Sequence, residues 1–374
     1  MSAESNDWAD GIRCMLIRGG TSKGAYFLAG DLPTETAQRD DLLLRIMGSP
    51  DPREIDGIGG GHPLTSKVAV ISASADPDAD VDYLFLQVQV DQPIVSDQQT
   101  CGNLLAGVGP FAIERGLIHA SAQTTDVRIR IMNGATSTVT ARVSTPGSRV
   151  SYTGDVMISG APFPAAAVPL EFPRASAPLL PTGAVRDVFA GIEVTCVNAG
   201  MPVVLLAARD LGISGYESPE QLESNAALTT KIEEIRLLAG ERMGLGDVSN
   251  ATVPKMTLLA PPRAGGAICT RTFIPRRVHT SVGVVGAISV AAGVLVPGSV
   301  GDSLVDVQSL ESRSGDGGEQ RRVRIEHPTG FFDVDVDVRP AGETYEVERS
   351  AVIRTARKLF DGQVWPRDPQ GVVS

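Results

Sequence analysis

Three groups of residues in this chain have types and spacings suited to chemistry. Cys101 opens the run Cys-Gly-Asn-Leu-Leu-Ala-Gly-Val-Gly, where the polar segment Ser96-Asp97-Gln98-Gln99-Thr100 gives way to an apolar helical pattern. A thiol at a helix start meets unpaired backbone N–H groups and the positive end of the helix dipole, which favours a thiolate. The same N–H groups suit a substrate carboxylate. The alternative is a small buried cysteine, the reading that Cys14, Cys196 and Cys269 take from their apolar strand patterns. Lys67 stands at the mouth of a strand, after Gly59-Gly60-Gly61-His62-Pro63. Partly desolvated there, a lysine has a lowered pKa and can act as a general base near neutrality; a solvated one cannot. Arginines form the third group: Arg18 precedes a glycine turn, and Arg271, Arg276 and Arg277 lead into a second apolar helix. Guanidinium forks grip carboxylates in bidentate fashion, so on an acidic protein this cluster points to a small polyanion. Surface ion pairing is the alternative, for Arg276 above all.

An internal repeat supplies the elements that must position these groups. Gly19-Gly20-Thr21-Ser22-Lys23-Gly24-Ala25-Tyr26-Phe27-Leu28 runs into Asp31-Leu32, and later Ala199-Gly200-Met201-Pro202-Val203-Val204-Leu205-Leu206 runs into Asp210-Leu211. Amphipathic helices are expected next, over Glu35 to Met47 and Pro219 to Met243. Lys67 then enters an apolar strand in one half and Lys255 in the other, so the position has a structural reading too. Further strands follow at Asp82 to Gln89 and Ala267 to Ile274. Gly/Ala-rich apolar helices come next, at Gly102 to Arg115 and Thr280 to Leu295; apolar all round, they must be buried. Strands over Val127 to Val143 and Val323 to Val338 close the halves. The expected architecture is α+β: two similar units, each a curved sheet around one central helix, with a site in the cleft between them. The expected units are 1–184 and 185–344, joined through a Pro/Ala-rich linker at Gly160 to Pro181. The final stretch, Tyr345 to Phe360, reads as a strand and short helix crossing back to the first unit. The second central helix starts with no cysteine, so a two-thiol racemase is not expected.

The composition sets outer limits. The chain has 374 residues, enough for two domains, with 42% hydrophobic and 21% charged residues. Forty Gly and twenty-five Pro suit a turn-rich β fold. A net charge of −11 argues against nucleic-acid or membrane-surface partners, both polyanions. The opening MSAESNDWAD is acidic and does not read as a signal peptide. The apolar stretch from Val282 to Val296 falls short of the ~20 residues of a membrane span. The four cysteines and four histidines show no metal-ligand spacing, so neither a metal nor a disulfide framework is expected, and a reducing cytoplasm fits. The glycines at 57–61 and 19–24 lack the strand–turn–helix context of nucleotide-binding loops.

The segments RGGTSKGAYF (18–27), MGSPDPREIDGIGG (47–60), LTSKVAV (64–70), CGNLLAGVGPFAIERGL (101–117), GMPVVLL (200–206), RMGLGDV (242–248), VPKM (253–256) and EHPTG (326–330) occur in this order. Together they resemble the PrpF family, with its diaminopimelate-epimerase-like fold, and within it the 4-oxalomesaconate tautomerase/isomerase branch of aromatic-acid catabolism. The resemblance implies a small polycarboxylate substrate and no cofactor; a homodimer is compatible with it. It implies that Lys67 abstracts an allylic proton and that Cys101 faces it across the substrate. Substrate binding would fall to Arg18, Gly20, Thr21, Ser22, Ser66, Gly102 and Asn103 in the first unit. In the second it would fall to Met201, Arg271, Arg277, His279, Thr280 and Ser281. His62, Thr100 and the segment Met132-Asn133-Gly134 depart from the branch's pattern at positions that could line the cleft. The resemblance also admits aconitate or 2-methylaconitate isomerisation. An accessory protein to an iron–sulfur dehydratase is a further alternative, weakened by the lack of a cysteine cluster.

Overall fold

The computed structural model describes residues 10–134, 137–174, 177–249, 251–275, 277–315, 318–342 and 344–369. Most of the acidic opening segment and Arg276, both singled out above, lie outside them. The chain forms two compact units: one runs to Leu170 and resumes at Arg354, and the other spans Glu171–Ile353.

In the first unit the elements are β1 (Ile12–Gly19), β2 (Ser22–Leu28), α1 (Thr36–Met47), β3 (Lys67–Ala73), β4 (Val81–Val88), β5 (Val95–Ser96), α2 (Gly102–Glu114), β6 (Thr124–Ile131) and β7 (Ser137–Ser144). A short strand, β8 (Ala167–Phe172), follows within the expected linker. β1 and β2 form an antiparallel hairpin closed at Gly19 and Ser22. β2 runs parallel to β3, β3 antiparallel to β4, and β4 parallel to β6, which turns back on β7.

The second unit repeats this wiring. Its elements are β9 (Asp187–Phe189), β10 (Ile192–Asn198), β11 (Pro202–Ala207), α3 (Pro219–Ser224), α4 (Ala226–Arg242), β12 (Lys255–Ala260), β13 (Ile268–Phe273), α5 (Val284–Val294), β14 (Glu311–Gly315), β15 (Gly318–His327) and β16 (Gly330–Ala341). The pairings β10/β11, β11/β12, β12/β13, β13/β15 and β15/β16 reproduce the sequence antiparallel, parallel, antiparallel, parallel, antiparallel.

Each central helix is packed by strands of its own unit. α2 lies against β1, β2, β3, β4, β6 and β7, and every residue from Leu104 to Ala112 is buried. Small residues make this possible. A Cβ on Gly107 would lie 2.5 Å from the Tyr26 hydroxyl, and one on Gly109 would lie 2.8 Å from Val143. Gly293 of α5 has the same role, where a Cβ would lie 2.6 Å from Leu205. On the outer face of the first unit, α1 buries Leu42, Leu43, Ile46 and Met47 against Ile12, Cys14, Phe27, Val68 and Leu86. Four such side chains contribute at most about 6–12 kcal/mol of apolar burial. Glu35 caps α1 by accepting from Ala37 and Gln38 N–H, and Gly48 ends it with φ +88°. No helix among the described residues is long and apolar enough to cross a membrane.

Several elements differ from the sequence expectation. The final stretch is one strand, β17 (Thr344–Val364), with no helix. It carries two ladders: residues 344–352 pair with β16, and residues 356–364 pair with β1. This split places the unit boundary near 353 rather than 344. A strand edge on each side outweighs the weak helical pattern of a stretch rich in β-branched residues. The expected helix from Pro219 to Met243 is broken at Asn225, whose side chain caps α4 by accepting from Leu228 N–H. The second central helix begins at Val284, not Thr280. Upstream, Ser281 N–H donates to His279 Nδ1 and the Thr280 carbonyl accepts from the Thr329 hydroxyl, which holds this segment out of the helix.

Candidate active site

Lys67 is the first residue of β3 and sits directly opposite Gly24 on β2 and Gln87 on β4. Gly24 lets the neighbours close in, since a Cβ there would be 2.8 Å from the Lys67 carbonyl and 2.7 Å from Leu104 of α2. The lysine is only 7% exposed. Its Nζ donates to Gln87 Oε1 at 2.7 Å and lies 4.9 Å from the centre of the Phe85 ring. Among the described residues no carboxylate pairs with it. Burial therefore lowers its pKa, against a smaller upward pull from the neighbouring Cys101. That pull ties the two residues electrostatically.

Cys101 is the N-cap of α2, with extended backbone and a half-buried side chain that makes no capping bond. The first bond of the helix runs from Leu105 N–H to the Cys101 carbonyl, so the amides of Gly102 and Asn103 precede the helical ladder. Tyr83, fully buried on β4, donates its hydroxyl to the same carbonyl at 3.2 Å. Burial raises the Tyr83 pKa far above its ordinary value, and the neighbouring Cys101 adds to this, so the phenol stays a donor.

The hairpin turn between β1 and β2 packs on this helix start. Gly20 has φ +53°, and a Cβ there would be 2.2 Å from Asn103 Oδ1, so only glycine fits. Asn103 Nδ2 donates to the Thr21 hydroxyl at 3.1 Å. Ser22 is buried, and its hydroxyl has no hydrogen-bond partner among the described residues. Such an orphan costs about 1–3 kcal/mol, which a bound oxygen would relieve. Lys67, Cys101, Gly102, Asn103, Gly20, Thr21 and Ser22 thus come from three adjoining pieces of one unit.

Other expected ligand-binding residues make hydrogen bonds within the scaffold. Arg18 Nη1 donates to the Gly20 carbonyl (2.8 Å) and to the carbonyl and hydroxyl of Thr355, bracing the turn. Ser66 is fully buried and donates its hydroxyl to the Glu54 carboxylate. Arg271 uses its fork on the carbonyls of Glu217, Thr270 and Tyr216. Arg277 is an 81% exposed partner of Glu223. The sequence shows a guanidinium but neither the carbonyls that Arg18 and Arg271 reach nor the Glu223 carboxylate that Arg277 reaches. Of the departures noted above, His62 and Thr100 are exposed. Asn133 commits its amide to the backbone of Phe85 and to the Asp97 carbonyl.

In the second unit His279, Thr280 and Ser281 lie together with Lys255 and His327. Lys255 pairs with Val203 as Lys67 pairs with Gly24. His279 Nδ1 accepts from Ser281 N–H, and the Ser281 hydroxyl lies 3.2 Å from His327 Nε2. Burial, then the nearby Lys255 charge, lowers the His279 pKa and keeps the ring neutral. Met201 offers its carbonyl to the Ser289 hydroxyl. Among the described residues no three His, Cys, Asp or Glu side chains form a metal-binding group. Two site residues escaped the sequence reading, Gln87 and Tyr83. The alternation of β4 puts Tyr83, Phe85 and Gln87 on one face, and an amide on an otherwise apolar face was the available signal.

The profile of the family described as PrpF protein matches residues 10–367. The chain is 52% identical to a (4E)-oxalomesaconate Δ-isomerase of Novosphingobium sp. (strain KA1), over 95% of this chain and 98% of that one. It is 53% identical to a 4-oxalomesaconate tautomerase of Pseudomonas putida (strain KT2440), over 94% and 95% respectively. A crystal structure of methylitaconate-Δ-isomerase superposes with a TM-score of 0.80 at 31% identity, covering 94% of each chain. The two repeated units around central helices are those of the diaminopimelate-epimerase-like fold. With a match across nearly its whole length and this agreement in fold, the chain belongs to the PrpF family.

Proposed function

We propose that this protein is an isomerase that moves a proton and a double bond in an unsaturated keto-tricarboxylate, 4-oxalomesaconate, with Lys67 as general base and Cys101 as its partner. The observation that carries the chemistry is a buried lysine with no carboxylate partner among the described residues, electrostatically linked to a helix-start cysteine. A neutral Lys67 Nζ takes the allylic proton, which conjugated carbonyl and carboxylate groups make acidic. The C–H electron pair becomes part of a dienolate, and a proton returned two carbons away completes the shift. No atom or electron is gained or lost overall. The dienolate charge needs fixed donors, for which the Ser22 hydroxyl and the amides of Gly102 and Asn103 are available. Two close relatives are named for oxalomesaconate, one as a Δ-isomerase and one as a tautomerase, which supports this substrate class.

Within the second unit, His279, Thr280 and Ser281, with Lys255 beside them, offer donors suited to a carboxylate. Four unpaired cysteines suit a reducing cytoplasm. The substrate assignment is tested by comparing kcat/KM for 4-oxalomesaconate, aconitate and 2-methylaconitate with the purified protein. Preference for oxalomesaconate supports the reading; turnover of an aconitate with none of oxalomesaconate overturns it.

A further inference from the structure

Gln87 sits across from Lys67 on the neighbouring antiparallel strand and is itself buried. Its Oε1 accepts from Lys67 Nζ at 2.7 Å. Its Nε2 donates to three carbonyls, of Ser66 (2.8 Å), Pro63 (3.2 Å) and Val88 (3.2 Å). Carbonyls only accept, so the amide cannot flip: the NH₂ must face them and the oxygen must face the lysine. Ser66, which supplies the nearest of these carbonyls, is locked in turn by its hydroxyl bond to the buried Glu54, whose carboxylate also accepts from Gly61 N–H at 2.8 Å.

We propose that Gln87 is the positioning residue of the general base, a neutral acceptor that fixes Lys67 Nζ without giving it a counter-charge. With one N–H committed to Gln87, the amine's lone pair cannot point at Gln87 and faces away from the amide. The neutrality matters as much as the bond. A carboxylate at this place would pair with the ammonium, hold Lys67 protonated and remove its capacity to take a proton. Among the described residues, the remaining groups facing Lys67 are the Gly24 backbone from β2, the Phe85 ring from β4 and Cys101 from the start of α2. Glu54 reaches it only through Ser66.

This inference rests on Lys67 as the base, and the test separates the two. The pH dependence of kcat/KM is measured for wild type, Lys67→Met, Gln87→Glu and Gln87→Met, with thermal melts to establish folding. In Gln87→Glu the acid limb moves to higher pH, so activity at neutral pH falls at least about tenfold and recovers in alkali. In Gln87→Met the ammonium loses an acceptor, so the limb moves to lower pH while the plateau drops about tenfold or more. A merely structural role would lower the plateau and leave the limb in place. If one Gln87 variant fails to fold, the other still decides by the direction of its shift. A folded variant whose limb coincides with that of wild type overturns the role of Gln87. An active Lys67→Met overturns the base assignment beneath it.

Discussion

Replacing Gly107 by alanine sets two opposed effects against each other in the middle of α2. In an open helix the change stabilises by about 1 kcal/mol, because alanine loses less backbone entropy. Here the added Cβ would lie 2.5 Å from the Tyr26 hydroxyl, 2.7 Å from its Cζ and 3.0 Å from Ile17 Cγ2. Tyr26 is fully buried, its hydroxyl donates to the Leu104 carbonyl at 2.6 Å, and its ring lies 5.8 Å from Phe111. Regaining an ordinary contact of 3.4 Å requires the hydroxyl to retreat by about 0.9 Å in a region without slack. Overpacking of that kind costs about 1–3 kcal/mol, and weakening the Tyr26–Leu104 bond adds roughly 1 kcal/mol. The clash therefore wins, with net destabilisation of about 1–3 kcal/mol. Gly286 in α5 is the control, since no described residue lies within 4 Å of a Cβ there. Gly286→Ala should stabilise by up to ~1 kcal/mol. Urea midpoints read both variants. Because Leu104 lies one turn from Cys101, turnover should fall in Gly107→Ala as well. A Gly107→Ala protein as stable as wild type would refute the close packing of strands on the central helix.

Four further variants have expected outcomes. Lys67→Met should lose turnover by about a thousandfold or more while retaining substrate binding, read by single-turnover kinetics and calorimetry. The same variant tests the pKa through stability. The folded-state value lies below the ordinary 10.5, so between the two the unfolded chain binds more protons and wild-type stability rises with pH. Lys67→Met should lack that rise, and unfolding midpoints across neutral to alkaline pH would show it. Cys101→Ser should lower kcat at least about tenfold with unchanged melting, because a hydroxyl is a far weaker acid than a thiol. Arg271→Met should destabilise by roughly 3–5 kcal/mol, as the carbonyls of Tyr216, Glu217 and Thr270 lose their donor. Arg277→Ala, at an exposed pair, should stay within about 0.5 kcal/mol, and urea midpoints separate the two.

The duplicated architecture was legible because it rests on patterns the sequence carries directly. Glycine turns, Asp-Leu pairs and lysine-led strands recur in the same order, and both Gly/Ala-rich helices are apolar on every face. The placement of Cys101 and Lys67 was legible for the same reason: each marks a change of period, from polar loop to helix and from glycine loop to strand. What lay out of reach depends on partners distant in sequence. Residues 344–364 form one strand because β16 and β1 each offer an edge, and neither edge is visible locally. Arg18 and Arg271 read as carboxylate clamps, and the sequence does not show that Arg18 Nη1 also donates to the Thr355 carbonyl or Arg271 Nη2 to that of Tyr216. The bond from the Ser66 hydroxyl to Glu54, twelve residues away, was likewise not visible in the sequence.

The most direct test of the central claim is proton NMR of 4-oxalomesaconate in deuterated water, with purified wild type and Lys67→Met run side by side. The predicted result is conversion to the double-bond isomer by wild type, seen as loss of the starting vinyl signal, and an unchanged spectrum with the variant. Conversion by both proteins would remove Lys67 from the chemistry, and conversion by neither would contradict the assigned substrate.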